Sequence, residues 1–269
     1  MTNLAKQRGH GSTVIIGCGR LGTALLQGWR TDRSIYVFDP FAPADLPGVR
    51  LESPEAIASL PRPITVVLAV KPHALPAALP SFAHLCTDDT LFVSVAAGVG
   101  VASIRRSLGD AARVVRAMPN IAVEVQAGVT ALYFEERIGG CERVAVQRLF
   151  NLLGRTIVVS EETQLDIATA LSGSGPAFFF RLAEAMATAG RNAGMPEEEA
   201  EILASCTLAG AGALCQYGGK RLVALREAVT SPGGTTFAGL EALCAKPGID
   251  ELAGAAVQAA IRRAQELSP

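Results

Sequence analysis

Thr13-Val14-Ile15-Ile16-Gly17-Cys18-Gly19-Arg20-Leu21-Gly22 decides how the first half of this chain folds. A short β-branched apolar run meets G-x-G-x-x-G, and Leu25, Leu26 and Trp29 follow at helical spacing. The pattern predicts strand, glycine turn and helix. In that setting Gly17 permits the tight turn, Gly19 lets a pyrophosphate approach the backbone, and Gly22 lets the helix pack closely on the strand. Cys18, Arg20 and Leu21 complete the turn, and the Cys18 thiol reads as packing filler rather than a reactive group.

Working outward, Ile35–Phe38 reads as a second strand ending at Asp39, about twenty residues past Gly19, where an acidic side chain meets the adenosine ribose of a bound dinucleotide. That position favours NAD over NADP. No arginine directly follows Asp39, although Arg20 and Arg33 could approach from elsewhere. Asp39 before Pro40 also reads as a simple turn aspartate. Ile64–Val70 is continuously apolar, as a strand buried on both faces should be, and delivers Lys71 and Pro72 at its carboxyl end. Leu91–Val95 repeats the pattern before Ala96, Ala97 and Gly98, small residues against which a cofactor can lie. Val114–Ala117 and Val129–Tyr133 read as further strands with Met118, Pro119 and Asn120 on the loop between them, and Ile157–Val159 closes the sheet.

A length of 269 residues, with 49% hydrophobic and 18% charged, suits two packed domains. A net charge of -1 gives no electrostatic case for nucleic acid or an anionic membrane, so small metabolites are the expected ligands. The six cysteines form no CxxC pair and the three histidines stand at no metal-ligand spacing, so no metal is expected. No signal peptide precedes them, and reduced thiols in the cytoplasm are the reading. Residues 1–11, including His10, read as a disordered leader, and His73 and His84 as solvated residues flanking a proline-rich helix.

After about Ser160 the pattern turns helical, over Thr163–Leu171, Pro176–Ala193, Pro196–Tyr217, Leu222–Ala228, Thr235–Cys244 and Ile249–Leu267. The expected division is residues 1–160 for dinucleotide binding and 161–269 for an all-helical second domain. The uncharged stretch 202–219 reaches the lower length of a membrane span. Its Ala, Gly, Ser and Thr suit instead a helix buried on all sides, in part by a second subunit. Two glycine turns open helices here. Ser172-Gly173-Ser174-Gly175-Pro176 can aim amides at a cofactor or substrate, or merely kink the chain. Ser231-Pro232-Gly233-Gly234-Thr235-Thr236 can grip a carboxylate at a helix N-terminus, and also reads as an ordinary cap.

Taken together, Gly17–Gly22, A-V-K-P (Ala69, Val70, Lys71, Pro72), A-A-G (Ala96–Gly98), R-A-M-P-N (Arg116–Asn120), L-S-G-S-G-P (Leu171–Pro176) and V-T-S-P-G-G-T-T (Val229–Thr236) resemble the pyrroline-5-carboxylate reductase family over nearly the whole chain. The resemblance implies an α/β Rossmann-type domain followed by a helical dimerisation domain, with homodimers that can assemble into rings. It implies NADPH or NADH as cofactor and an active site between domains. The cofactor would meet Gly17–Gly22, Asp39, Ala69–Pro72, Ala96–Gly98, Met118–Asn120, Ser174 and Gly175. Ser231, Gly233, Gly234, Thr235 and Thr236 would take the substrate carboxylate, with the Thr236 hydroxyl beside the imine nitrogen and supplied by the partner subunit. Arg20-Leu21, Ile121-Ala122, Asp39 and Cys244 depart from the family's usual residues.

Two rival readings accompany this one. A related imine or β-hydroxyacid reductase would share the first domain, but the β-hydroxyacid type uses a lysine in the helical domain. Lys220 and Lys246 are the only lysines beyond residue 160, and neither opens a glycine-rich helix. A dinucleotide-sensing paralogue without activity would not need the intact Ser231–Thr236 loop.

Overall fold

In the computed structural model, which describes residues 11–29, 35–43, 45–216, 219 and 221–266, the apolar runs of the first half form one eight-stranded sheet. The first ten residues with His10, and also Arg33 and Lys220, lie outside the described residues. Gly11, read as part of the leader, instead packs on the chain: a Cβ there would stand 1.6 Å from the Pro63 carbonyl oxygen. The chain divides into two compact units, one of residues up to Gly173 together with those from Ala260, the other Ser174–Ala259.

The strands are β1 Ser12–Ile16, β2 Ile35–Phe38, β3 Val49–Arg50, β4 Ile64–Leu68, β5 Thr90–Ser94, β6 Val114–Pro119, β7 Gly128–Phe134 and β8 Gly154–Val159. Their order is β3-β2-β1-β4-β5-β6-β7-β8, and every neighbouring pair is parallel except β6 with β7. From β1 the chain builds outward to β2 and β3, then returns to start β4 on β1's other side. The carboxyl ends of β1 and β4 therefore flank the switch point, the crevice where parallel sheets of this kind bind ligands.

Alternate residues of the central strands feed two cores. On one face Ile15, Val67, Val93 and Val115 pack with Leu25, Leu26 and Trp29 of α1 (Arg20–Trp29) and with Val146, Leu149 and Phe150 of α5 (Gly140–Asn151). Trp29 donates its indole N–H to the Leu149 carbonyl at 2.8 Å and meets the Phe150 ring edge-on. On the other face Val14, Ile16, Val66, Leu68 and Phe92 pack with Leu75, Leu79, Phe82, Ile104 and Leu108. These come from α3 (Leu75–Ala78), the 3-10 turn Leu79–Leu85, and α4 (Val101–Leu108). Both faces are covered, which is why the strands read as unbroken apolar runs.

Three expectations shift. The third apolar run stops as a strand at Leu68 rather than Val70, because Leu68 pairs with the last residues of both neighbours, Ile16 and Ser94. Met118 and Pro119 belong to β6 rather than to a loop; β5 pairs only with Val114–Arg116, so Pro119 has a single strand neighbour and its missing N–H costs nothing there. The helix expected over Thr163–Leu171 is instead α6 (Gln164–Ala168) followed by a wider π turn, Thr169–Gly173. Thr169 and Ser172 donate their hydroxyls back to the Leu165 and Ala168 carbonyls, both at 2.8 Å, which eases that widening.

The second unit begins with α7 (Gly175–Asn192) and α8 (Glu197–Gln216), packed as a hairpin in which Gly190 faces Ala200. Then follow α9 (Leu222–Ala228), α10 (Thr235–Cys244) and α11 (Ile249–Glu266), the last of which runs on past Ala259 into the first unit's residues. Large apolar side chains stay exposed along these helices: Phe179 at 60%, Ile202 at 53% and Leu203 at 56%, where the helices α1 and α5 of the first unit bury Leu25, Leu26, Trp29, Leu149 and Phe150. No helix among the described residues is long and apolar enough to cross a membrane.

Candidate active site

At the carboxyl end of β1 the three glycines do what their spacing demands. Gly17 has φ +94, donates its N–H to the Phe38 carbonyl at 3.0 Å, and passes so close to the next strand that a Cβ would stand 2.9 Å from Ala69 and Val70 backbone atoms. A Cβ on Gly22 would lie 2.1 Å from the Gly17 carbonyl oxygen. Above Gly19 there is nothing within 4 Å. The turn is thus closed on the sheet side at Gly17 and Gly22 and open at Gly19, the room a pyrophosphate needs to approach the backbone. Thr23 fastens the turn by donating its hydroxyl to the Cys18 carbonyl at 3.0 Å.

Asp39 follows β2 and holds this turn from the side. One carboxylate oxygen accepts the Cys18 N–H at 2.6 Å and the other accepts the Phe41 N–H at 2.8 Å. Arg50, from the edge strand β3, donates to the Ala42 carbonyl at 3.1 Å and the Asp39 carbonyl at 3.5 Å. Burial, with the Asp39 charge adding to it and Arg50 opposing, pushes the Cys18 thiol up to about 11. At neutral pH that thiol is protonated and unreactive, in keeping with filler. Nothing in the sequence singled out Arg50, whose strand is only two residues long.

Further along the same sheet edge stand the other expected cofactor residues of this unit. Ala69 and Val70 leave β4; Lys71 is exposed, and its carbonyl starts the 3-10 turn Pro72–Ala74. Ala96 and Gly98 are buried beyond β5, with Gly98 at φ +75 and Ala97 between them half-buried. Met118 ends β6 with Pro119, and its Cε would meet a Cβ on Gly173 at 2.7 Å, so the L-S-G segment lies against the end of that strand. Asn120 is occupied within the fold, its side-chain oxygen accepting the Val129 N–H at 3.2 Å. His73 and His84 are exposed, as read.

A charged group below Gly98 escaped the sequence reading. Glu162 accepts the Val101 N–H, the first amide of α4, at 2.8 Å and an Arg116 N–H at 3.1 Å with the same oxygen. Arg116 is nearly buried. With Gly98, Gly100, Ser103 and Asp166 they line a small open cavity of about 300 Å³. Burial raises the pKa of Asp166, and the neighbouring Glu162 charge adds to this while Arg116 opposes it. Glu162 and Asp166 stand one helical turn apart, a signal that becomes meaningful only once Arg116 is known to face them. No cluster that could hold a metal ion occurs among the described residues.

In the second unit Ser174 caps α7 and Gly175 is its first residue. The Ser231–Thr236 loop has its own geometry. Gly233 takes φ +70, Gly234 donates its N–H to the Ser231 carbonyl at 3.0 Å, and Gly234 is the cap of α10 with no side chain to satisfy the first amides. A Cβ on Gly234 would stand 2.4 Å from the Ser231 hydroxyl oxygen. An ordinary cap places a Ser, Thr, Asp or Asn oxygen over those amides. Here they are left open, with the exposed Thr235 and Thr236 hydroxyls beside them, which suits an external anion.

Comparison with known proteins identifies the family. The family model described as pyrroline-5-carboxylate reductase dimerisation matches residues 162–267. The chain is similar to the pyrroline-5-carboxylate reductase of Pseudomonas aeruginosa, 34% identical over 266 residues that cover 95% of this chain and 96% of that protein. It is similar to the reductase of Mycobacterium tuberculosis at 35% identity, covering 96% and 97%. The solved pyrroline-5-carboxylate reductase of Coxiella burnetii superposes with TM-score 0.88 at 31% identity, over 96% of this chain and 99% of that one. The Plasmodium falciparum enzyme, solved with NADP bound, shares the fold with TM-score 0.83 at 23% identity, covering 97% and 99%.

Proposed function

The chain belongs to the pyrroline-5-carboxylate reductase family, and from that membership we propose that it reduces 1-pyrroline-5-carboxylate to L-proline, the last step of proline biosynthesis, using NADPH or NADH. The observation that supports the reading is the start of α10, where a left-handed Gly233 and the Gly234 cap leave the first amides without a side-chain cap beside the exposed Thr235 and Thr236.

The bound dinucleotide supplies the hydride that converts the C=N bond to an amine. What the chain does is hold and orient. Gly17, Gly19 and Gly22, with Cys18, Arg20 and Leu21, receive the pyrophosphate, and Asp39 the adenosine ribose. Ala69–Pro72, Ala96–Gly98, Met118–Asn120, Ser174 and Gly175 bound the rest of the dinucleotide. Glu162 fixes the start of α4 and so the Ala96–Gly98 loop before it. Ser231, Gly233, Gly234, Thr235 and Thr236 bind the substrate carboxylate, and Thr236, supplied by the partner subunit, hydrogen-bonds the ring nitrogen. Because the imine enters protonated, no side-chain acid has to deliver a proton. Positioning and anchoring carry the rate.

The chain works as a homo-oligomer, in keeping with its dimerisation region and the exposed apolar side chains of α7 and α8. Assembly of dimers into rings and residence in the cytoplasm, where its cysteines stay reduced, complete the proposal. Steady-state rates with 1-pyrroline-5-carboxylate and each reduced dinucleotide test it. Turnover to proline is expected; nucleotide binding without turnover would leave a sensor in its place.

A further inference from the structure

The corner between β2 and β3 holds two opposite charges over the glycine turn, and only one was legible in the sequence. Asp39 alone would repel a 2′-phosphate, which carries a charge of about −1.5 to −2 at neutral pH. Its two carboxylate oxygens already accept the Cys18 and Phe41 amides, so it is fixed in place and does not turn away. Arg50 reaches the same corner from the neighbouring strand. Among the described residues its guanidinium is held only by the Ala42 and Asp39 carbonyl oxygens, and no ion pair includes it. Of five N–H donors, those not turned to the two carbonyls have no partner among the described residues, and the side chain is exposed. That both charges bear on the turn is seen at the Cys18 thiol, which they pull in opposite directions.

We propose that Arg50 is a specificity-determining residue that receives the 2′-phosphate of NADP(H), so that the site takes both dinucleotides in spite of Asp39. The inference rests on the reading that Gly17–Gly22 binds a dinucleotide. Anchored by carbonyls rather than by a carboxylate, the guanidinium is pre-positioned without being neutralised. That is the condition for charge-assisted, forked recognition of a phosphate. Asp39 can still accept a ribose hydroxyl when the 2′-phosphate is absent.

Calorimetric titration of the full-length protein with NAD+ and NADP+ tests this without turnover. For the unaltered chain the two dissociation constants should lie within roughly tenfold of each other, the scale of one charge-assisted contact. Arg50→Met should weaken NADP+ roughly tenfold or more while NAD+ stays within about twofold, and Arg50→Lys should fall between. Retained NAD+ binding shows that the variants fold. If both affinities fall together, Arg50 merely braces the corner and the proposal fails. It fails equally if neither affinity moves, or if the unaltered chain binds NAD+ but not NADP+. Binding of neither nucleotide by the unaltered chain would sink the dinucleotide reading itself, and this inference with it.

Discussion

The first unit buries most of its large apolar residues within itself; the second does not. Every residue of β1 and β5 is buried, and α1 and α5 close one face of the sheet with Trp29 and Phe150. In the helical unit, Phe179, Phe180, Ile202, Leu203, Leu222 and Leu252 are all more than half exposed. The two units differ in what finishes them. A doubly covered parallel sheet satisfies its own chain, whereas the α7–α8 hairpin has one layer and a groove of about 660 Å³ along it, and needs a second copy to bury the remainder.

The largest effect should come from attacking that dependence. Phe179→Glu combined with Leu203→Glu removes two large apolar side chains per subunit. Each is worth about 1.5–3 kcal/mol of burial, and an unpaired charge takes each place. Light scattering should show monomers at concentrations where the unaltered protein is an oligomer. Turnover should be lost with assembly, while nucleotide binding by the first unit is largely retained. Persistence of the oligomer would mean that these side chains are not what the second copy covers.

The first unit breaks differently, from within and without dependence on concentration. Gly22→Ala puts a methyl 2.1 Å from the Gly17 carbonyl oxygen, backbone against backbone. The turn must open, at a cost of about 3 kcal/mol, the upper range for overpacking. Gly19→Ala meets nothing within 4 Å and should leave the melting temperature nearly unchanged while weakening nucleotide binding. Thermal unfolding of the two variants, each paired with a nucleotide titration, separates a glycine needed by the fold from one needed by the ligand. Equal loss of stability in both would contradict the distinction.

That pair also shows why the first unit was the more legible. The glycine turn is a steric necessity with fixed spacing, so β1, the turn and α1 follow from Gly17–Gly22 and the flanking apolar residues. The helices of the second unit also fall close to their expected bounds, and α9 and α10 coincide with them. Contacts between distant segments were not legible. β3 exists because Tyr36 and Val37 offer it a partner, and only that pairing brings Arg50 to Asp39. Pro119 looked like a loop residue because local propensity cannot know that β5 ends its pairing at Arg116. Glu162 reaches Arg116 across 46 positions, a separation that no periodicity encodes.

Thr236→Ala sharpens the comparison from the side of chemistry. If the second unit contributes the hydroxyl beside the imine nitrogen, turnover should fall about 10- to 100-fold, the scale of one lost hydrogen bond in the transition state. Nucleotide affinity, to which Thr236 is assigned no contact, should be unchanged. Thr236 is exposed at the start of α10, so the substitution should leave assembly intact. Loss of nucleotide binding in parallel with turnover would contradict the assigned role.

The smallest effect tests whether the first unit gives up stability at its sheet edge. Burial raises the pKa of Asp166, so the folded protein holds this proton at a pH where the unfolded chain has already lost it. Stability therefore falls as pH rises from the ordinary carboxylate range to the raised folded value, and the penalty stays constant above it. Asp166→Asn removes the titration. Its melting temperature should exceed that of the unaltered protein at neutral pH, and the gap should close on acidification through the carboxylate range. A gap that is constant with pH would mean that Asp166 titrates alike in the folded and unfolded chain; a variant less stable than the unaltered protein at neutral pH, with the deficit closing in acid, would mean that Asp166 is held ionised by Arg116 and that the Arg116–Glu162–Asp166 group is an ion network rather than a strained one.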